Sequence, residues 1–270
     1  MIDAHVHLWD PALLDYDWLS PAQRRRFGPL ELQRSDPSDA ERVFVQAECR
    51  PEQAAAEIDW VESLADEAAV IGIVAYTPLG ADPVVAASVI DDWARRPRVV
   101  GVRRLLQTEP IGFSRSREFV FAARHLADRG LCFDACVVPA QLGDVTALAD
   151  VVPELRIVLD HLGKPDVRGG LDPAWSAALR DLGQRPNVSV KLSGLPAQVD
   201  GPWRDAQMHP FLDVCLEAFG ADRLLYGSDW PVSQPLASWR ECVSRWARIR
   251  LGEDGATEVM GGAARRIYGL

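Results

Sequence analysis

Two histidines, two residues apart, open the sequence. Ile2-Asp3-Ala4-His5-Val6-His7 reads as a short buried strand. Alternate residues of a strand face one side, so His5 and His7 point together. Two imidazoles on one face can hold a divalent metal or polarise a substrate. The plain alternative is a hydrogen-bonded pair at a strand end. Other chemically competent side chains lie in or just past later apolar runs: Glu48, Arg103 and Arg104, Asp134, His161, Lys191 and Asp229. Of these, His161 and Asp229 join His5 and His7 as a set of three imidazoles and a carboxylate. That set suits zinc first and manganese next, or the groups act without an ion. Arg103 and Arg104 are successive, so their side chains point opposite ways and one of them reaches the site. Lys191 either touches substrate or pairs with a buried carboxylate, and Asp134 either binds substrate or accepts a structural hydrogen bond. Trp9, Trp18 and Trp230 offer faces for a sugar or a flat ring.

These residues need elements to carry them. Short apolar runs begin at Ile2, Val43, Val70, Val99, Leu131, Arg156, Val188 and Arg223, and nearly all are followed by a helical stretch. Runs without polar alternation suit a parallel sheet covered on both faces. Eight strands alternating with helices suit a closed barrel. The expected fold is therefore α/β, a single (β/α)8 TIM barrel over residues 1–270. A doubly wound open sheet is the runner-up, weakened because no Gly-x-Gly-x-x-Gly turn follows the first strand. In such a barrel catalytic groups sit at the C-terminal strand ends, where the residues above fall. Residues 8–41 show no clean period and carry five Pro or Gly residues among four aromatics. A connection that long is expected to act as a lid or binding loop.

Bulk properties narrow the partners. The 270 residues are 48% hydrophobic and 25% charged, with a net charge of −10. An acidic chain is a poor match for nucleic acid or anionic membranes; the expected partner of the strand-end residues above is a small molecule. The Arg24-Arg25-Arg26 run reads as a solvated loop. The five cysteines fall within apolar runs, without Cys-x-x-Cys spacing, and read as reduced core thiols of a cytoplasmic protein. The first strand begins at once, without the charged and apolar regions of a signal peptide, and no apolar run approaches the ~20 residues of a membrane span.

Taken together, Ile2-Asp3-Ala4-His5-Val6-His7-Leu8-Trp9, Val45-Gln46-Ala47, Gly101-Val102-Arg103, His161-Leu162-Gly163-Lys164-Pro165, Lys191-Leu192-Ser193-Gly194-Leu195 and Tyr226-Gly227-Ser228-Asp229-Trp230-Pro231-Val232 resemble the amidohydrolase superfamily. The resemblance is to its amidohydrolase-related branch, which contains sugar lactonases, pyrone-dicarboxylate hydrolases and mononuclear-zinc decarboxylases. It spans the whole chain and implies a barrel whose His5, His7, His161 and Asp229 surround a reacting carbonyl. It also implies hydrolysis of a lactone such as an aldonolactone, with Asp229 as general base and His161 polarising the carbonyl. No lysine reads as the carboxylated bridge of binuclear members. Arg104 replaces a histidine of related lactonases. Two other classes stay open: a zinc-dependent decarboxylase, and a barrel that binds a small molecule without turning it over.

Overall fold

A computed structural model describes residues 1–199 and 201–270. Its centre is an eight-stranded parallel sheet: β1 (Ile2–Val6), β2 (Glu41–Val45), β3 (Val70–Tyr76), β4 (Val99–Leu105), β5 (Cys132–Cys136), β6 (Ile157–Leu159), β7 (Val188–Leu192) and β8 (Leu224–Tyr226). The strands are hydrogen-bonded in sequence order, β1 to β8. Past the end of β8 the chain meets β1 again. Val6 bridges Trp230 in parallel, the His7 N–H donates to the Trp230 carbonyl at 2.8 Å, and the Asp229 N–H donates to the His5 carbonyl at 2.8 Å. This seam closes the barrel, and the fold is a single (β/α)8 barrel.

The sequence explains how the helices start. Helix α1 (Pro29–Ser35) lies within the long first connection, and helices α2 (Ala54–Ser63) and α3 (Pro83–Ala94) follow β2 and β3. The Asp82 carboxylate caps α3 by accepting from the Val84 and Val85 N–H groups, with Pro83 next in line. Helix α4 (Arg117–Asp128) is capped by the Ser116 hydroxyl. It is followed by α5 (Leu142–Val151) and α6 (Pro173–Gly183), and Asp172 caps the latter. Helices α7 (Asp205–Phe219), α8 (Leu236–Thr257) and α9 (Ala263–Tyr268) complete the chain. No helix among the described residues is long and apolar enough to cross a membrane.

Two apolar layers result. The larger fills the space between strands and helices. The smaller gathers Ile2, Ala4, Val43, Val45, Val74, Cys132, Val158 and Leu225 from six strands, and Ala263, Ala264 and Tyr268 of α9 pack against it. Side chains from that many strands can meet only inside the barrel, so α9 stoppers its lower end. The first connection folds back on itself: Trp9 and Phe27 exchange backbone hydrogen bonds at 3.0 and 2.9 Å. Trp9, Trp18, Phe27 and Trp230 then form an edge-to-face chain with ring centroids 4.9–5.6 Å apart.

Candidate active site

His5 and His7 leave β1 with their Nε2 atoms 3.2 Å apart. His7 Nδ1 donates to the Val45 carbonyl at 2.7 Å, which fixes its proton there and leaves Nε2 facing its partners. His161 comes from a rarer device. His161, Leu162, Gly163 and Lys164 all have positive φ, between 54° and 69°. Each non-glycine residue in this left-handed region costs about 1–2 kcal/mol, so the packing around this turn holds it against that cost. His161 Nδ1 meets the Ser193 hydroxyl at 2.8 Å. Gly194 lies flat beneath the ring; with φ +72°, a Cβ there would stand 2.6 Å from Nδ1. Asp229 is also left-handed, φ 58°. Its Oδ2 accepts from the Ser233 hydroxyl at 2.7 Å. Its Oδ1 lies 3.7 Å from His5 Nε2, 3.5 Å from His7 Nε2 and 3.8 Å from His161 Nε2.

Electrostatics divides the charges. Burial drives the His5 pKa well below the ordinary histidine value, with the Lys191 ammonium helping. Burial likewise takes His161 down to about 4, against the pull of Asp229 and Asp160. Both rings are neutral at neutral pH. Burial works upward on Asp229, but His161, the contact with His7, and His5 outweigh it, so the carboxyl stays below its usual range.

Beneath these groups lies a closed network. Lys191 is wholly buried. It donates to Asp134 at 2.5 Å and to His5 Nδ1 at 3.1 Å, and lies 3.1 Å from Asp160 Oδ1. The Tyr268 hydroxyl of α9 donates to Asp134, and Arg103 donates to Asp160 at 3.3 Å and to the Gln46 carbonyl at 2.6 Å. Burial pushes Asp160 upward, but Lys191 and His5 hold it well below the ordinary range. Asp134 is lifted to about 6, chiefly by burial.

A cavity of about 530 Å³ opens above, lined by His7, His161, Asp229, Arg103, Glu48 and Trp18 among others. Several expected substrate contacts do not reach it. Lys191 and Asp134 lie one layer lower and spend their polar atoms on each other. Trp9 and Trp230 are fully buried, packed through the aromatic chain, and the Trp9 indole donates to the Gln23 carbonyl. Arg104 points away, donates to Glu109 at 2.6 Å and covers the Phe113 ring; Arg103 is the inward member of the pair. Trp18 remains, tied to the Ala47 carbonyl at 2.8 Å and 42% exposed. Three residues not picked out from the sequence matter here. Lys164 and Gln107 line the cavity, and Asp160 supports His5. An aspartate directly before His161, at the end of an apolar run, was the available signal for Asp160.

A family model described as amidohydrolase matches residues 2–270. The chain belongs to the amidohydrolase family. An L-fucono-1,5-lactonase of Burkholderia ambifaria is 34% identical over 99% of this chain and 94% of its own length. A 2-pyrone-4,6-dicarboxylate hydrolase of Comamonas testosteroni is 28% identical, over 85% and 76%. Among solved structures, an amidohydrolase of Burkholderia multivorans with bound zinc superposes with a TM-score of 0.87 at 31% identity, covering 100% of this chain and 99% of that one.

The donors of this family member can hold a divalent ion. Ligand atoms of His5, His161 and Asp229 lie within 4.8 Å of one another, with His7 Nε2 beside them. When Lys191 donates to His5 Nδ1, the His5 proton sits on Nε2 and bonds to His7. Holding an ion requires that proton on Nδ1, with Nε2 free. Asp160 Oδ1, which also lies 3.1 Å from the Lys191 ammonium, stands 3.2 Å from Nδ1 and can accept it. A carboxylate behind a ligating imidazole is the usual support for a metal-binding histidine.

Proposed function

We propose that the protein is a lactonase, a hydrolase that opens a sugar-acid lactone, with Asp229 as general base. One observation carries this reading. The Asp229 carboxylate is ionised, braced by Ser233, and turned with the His7 and His161 imidazoles toward a cavity large enough for a small ring, with His5 just behind them. The lactonase relatives and the family support it.

Asp229 takes a proton from water as the water oxygen bonds to the lactone carbonyl carbon. A base in this role must come within ~2.6–3.2 Å of the water. His161, held by Ser193 over Gly194, faces the oxygen on which charge develops. The ring C–O bond then breaks, and Asp229 returns its proton to the departing alkoxide. The product is a hydroxy acid, which ionises to the carboxylate. Arg103, Glu48 and Trp18 are positioned to contact the ring and its hydroxyls. His5, His7, His161 and Asp229 would hold a divalent ion, zinc first and manganese next, which would supply Lewis-acid polarisation of the carbonyl. Residues 8–41 serve as a lid through Trp18. The five cysteines are free and buried, which supports a reducing compartment, the cytoplasm.

The test is a panel of aldonolactones followed by acid release. Wild type is expected to open at least one, and Asp229→Asn to lower kcat/KM by roughly 10²–10⁴. Near-wild-type turnover by Asp229→Asn removes it as the base. Carbon dioxide release without lactone opening overturns the reading.

A further inference from the structure

The cations that line the cavity are neutralised unequally. Arg103 faces Asp160, and Arg50 lies 3.4 Å from Asp15 and 3.2 Å from Asp17. Lys164 pairs with no carboxylate among the described residues. Its Nζ donates instead to the carboxamide oxygen of Gln107.

That bond fixes Gln107. An ammonium can only donate, so the amide must turn its oxygen to Lys164. The Cys136 thiol approaches the same oxygen at 3.9 Å. The amide hydrogens of Gln107 are left without a protein partner among the described residues. This stretch of wall therefore offers hydrogens and a positive charge, with its one acceptor occupied. Asp229 and Glu48, elsewhere on the lining, offer only acceptors. The two halves suit opposite ends of a reacting group: a water to be deprotonated, and an oxygen that gains charge.

Backbone geometry ties this donor wall to the chemistry. Lys164 closes the left-handed turn that begins at His161, its N–H donating to the His161 carbonyl at 2.7 Å. Both side chains reach the same cavity. A turn of that hand, kept at three non-glycine positions, delivers the two together.

We propose that Lys164 and Gln107 form the subsite for the acyl oxygens of the substrate, taking the charge that develops on the carbonyl oxygen and then holding the carboxylate of the ring-opened acid. The proposal rests on the lactonase reading. A lactone lacks this charge and its product has it, so the subsite favours the later stages of the reaction over the ground state.

Binding separates the subsite from the hydrolysis. Glycolate and D-gluconate are titrated against their neutral amides, glycolamide and gluconamide, with tryptophan fluorescence as the signal. Wild type is expected to prefer the acids. Lys164→Met should weaken acid binding tenfold or more and amide binding far less, Lys164→Arg should restore most of the acid binding, and Gln107→Leu should weaken it less. On a neutral lactone, Lys164→Met should lower kcat more than it raises KM. Equal loss for acids and amides, no preference for acids in wild type, or an effect confined to the KM of lactones bearing an extra carboxylate overturns the proposal. Lys164-dependent acid binding by a protein that opens no lactone supports the subsite and refutes the lactonase reading.

Discussion

The mouth of the barrel and the layer under it contain the same residue types in opposite situations. In the mouth, His161, Asp229, Lys164 and Arg103 face a cavity and are braced mainly by neutral groups or from behind. Below, Asp134, Lys191, Asp160 and Tyr268 face one another, and Lys191 has no exposure at all. The first group has polar atoms to offer a ligand, whereas the second has spent nearly all of its own. A lysine at a strand end is therefore a binding residue or a buried counter-ion according to one step of depth.

Removing the buried counter-ion should show the difference most strongly. Lys191→Met leaves Asp134 and Asp160 without their shared cation. Breaking a buried pair costs about 3–5 kcal/mol, which lowers Tm by roughly 10 °C at this size. Calorimetry of this variant beside Asp229→Asn checks the contrast: the latter should unfold near the wild-type temperature although inactive. Equal losses would erase the distinction between the layers. A smaller effect is expected from Tyr268→Phe, which deletes the hydroxyl on Asp134 and should cost about 1–3 kcal/mol. It should leave kcat/KM within a few-fold, and a large loss of activity would place Tyr268 in the upper layer.

The third test concerns a buried acid without a cation of its own. Glu57 of α2 is fully buried and accepts from the Ala47 N–H at 3.1 Å. Burial lifts its pKa from the ordinary 4.5 to about 8, whereas Asp160, beside Lys191, goes the other way. Between those two values the unfolded chain has released this proton and the folded protein keeps it. Stability from this group is therefore present at low pH and declines as pH rises toward 8. Glu57→Gln should raise Tm at pH 9 relative to wild type, with the gain vanishing near pH 5. A gain of the same size at both would mean that Glu57 does not titrate in this way.

Much of this was legible in the sequence because strands and site residues leave period and position signals. The eight apolar runs and their helices mark a barrel, and His5, His7, His161 and Asp229 stand at strand ends, where the structure gathers them. Depth left no such signal. Asp134 and Lys191 read like cavity residues, yet they sit one layer below. Parity gave Arg103 and Arg104 opposite faces without saying which was inward; that depends on the register of β4 against β5, where Arg103 pairs with Asp134. Trp9 and Trp230 looked available for a ring, and tertiary packing consumed them. Lys164 was hidden differently: a right-handed or extended course after His161 would send it elsewhere, and four successive positive φ values are not written in residue type.

The seam between β1 and the end of β8 has a consequence for folding. Its hydrogen bonds join His5 and His7 to Asp229 and Trp230, residues more than 220 positions apart. Contacts of such long sequence separation carry the largest loop-closure entropy and tend to form late. The three imidazoles and the carboxylate share a neighbourhood only once the first and last strands have met. An incompletely folded chain has no working centre to expose, and catalytic competence arrives together with closure of the ring.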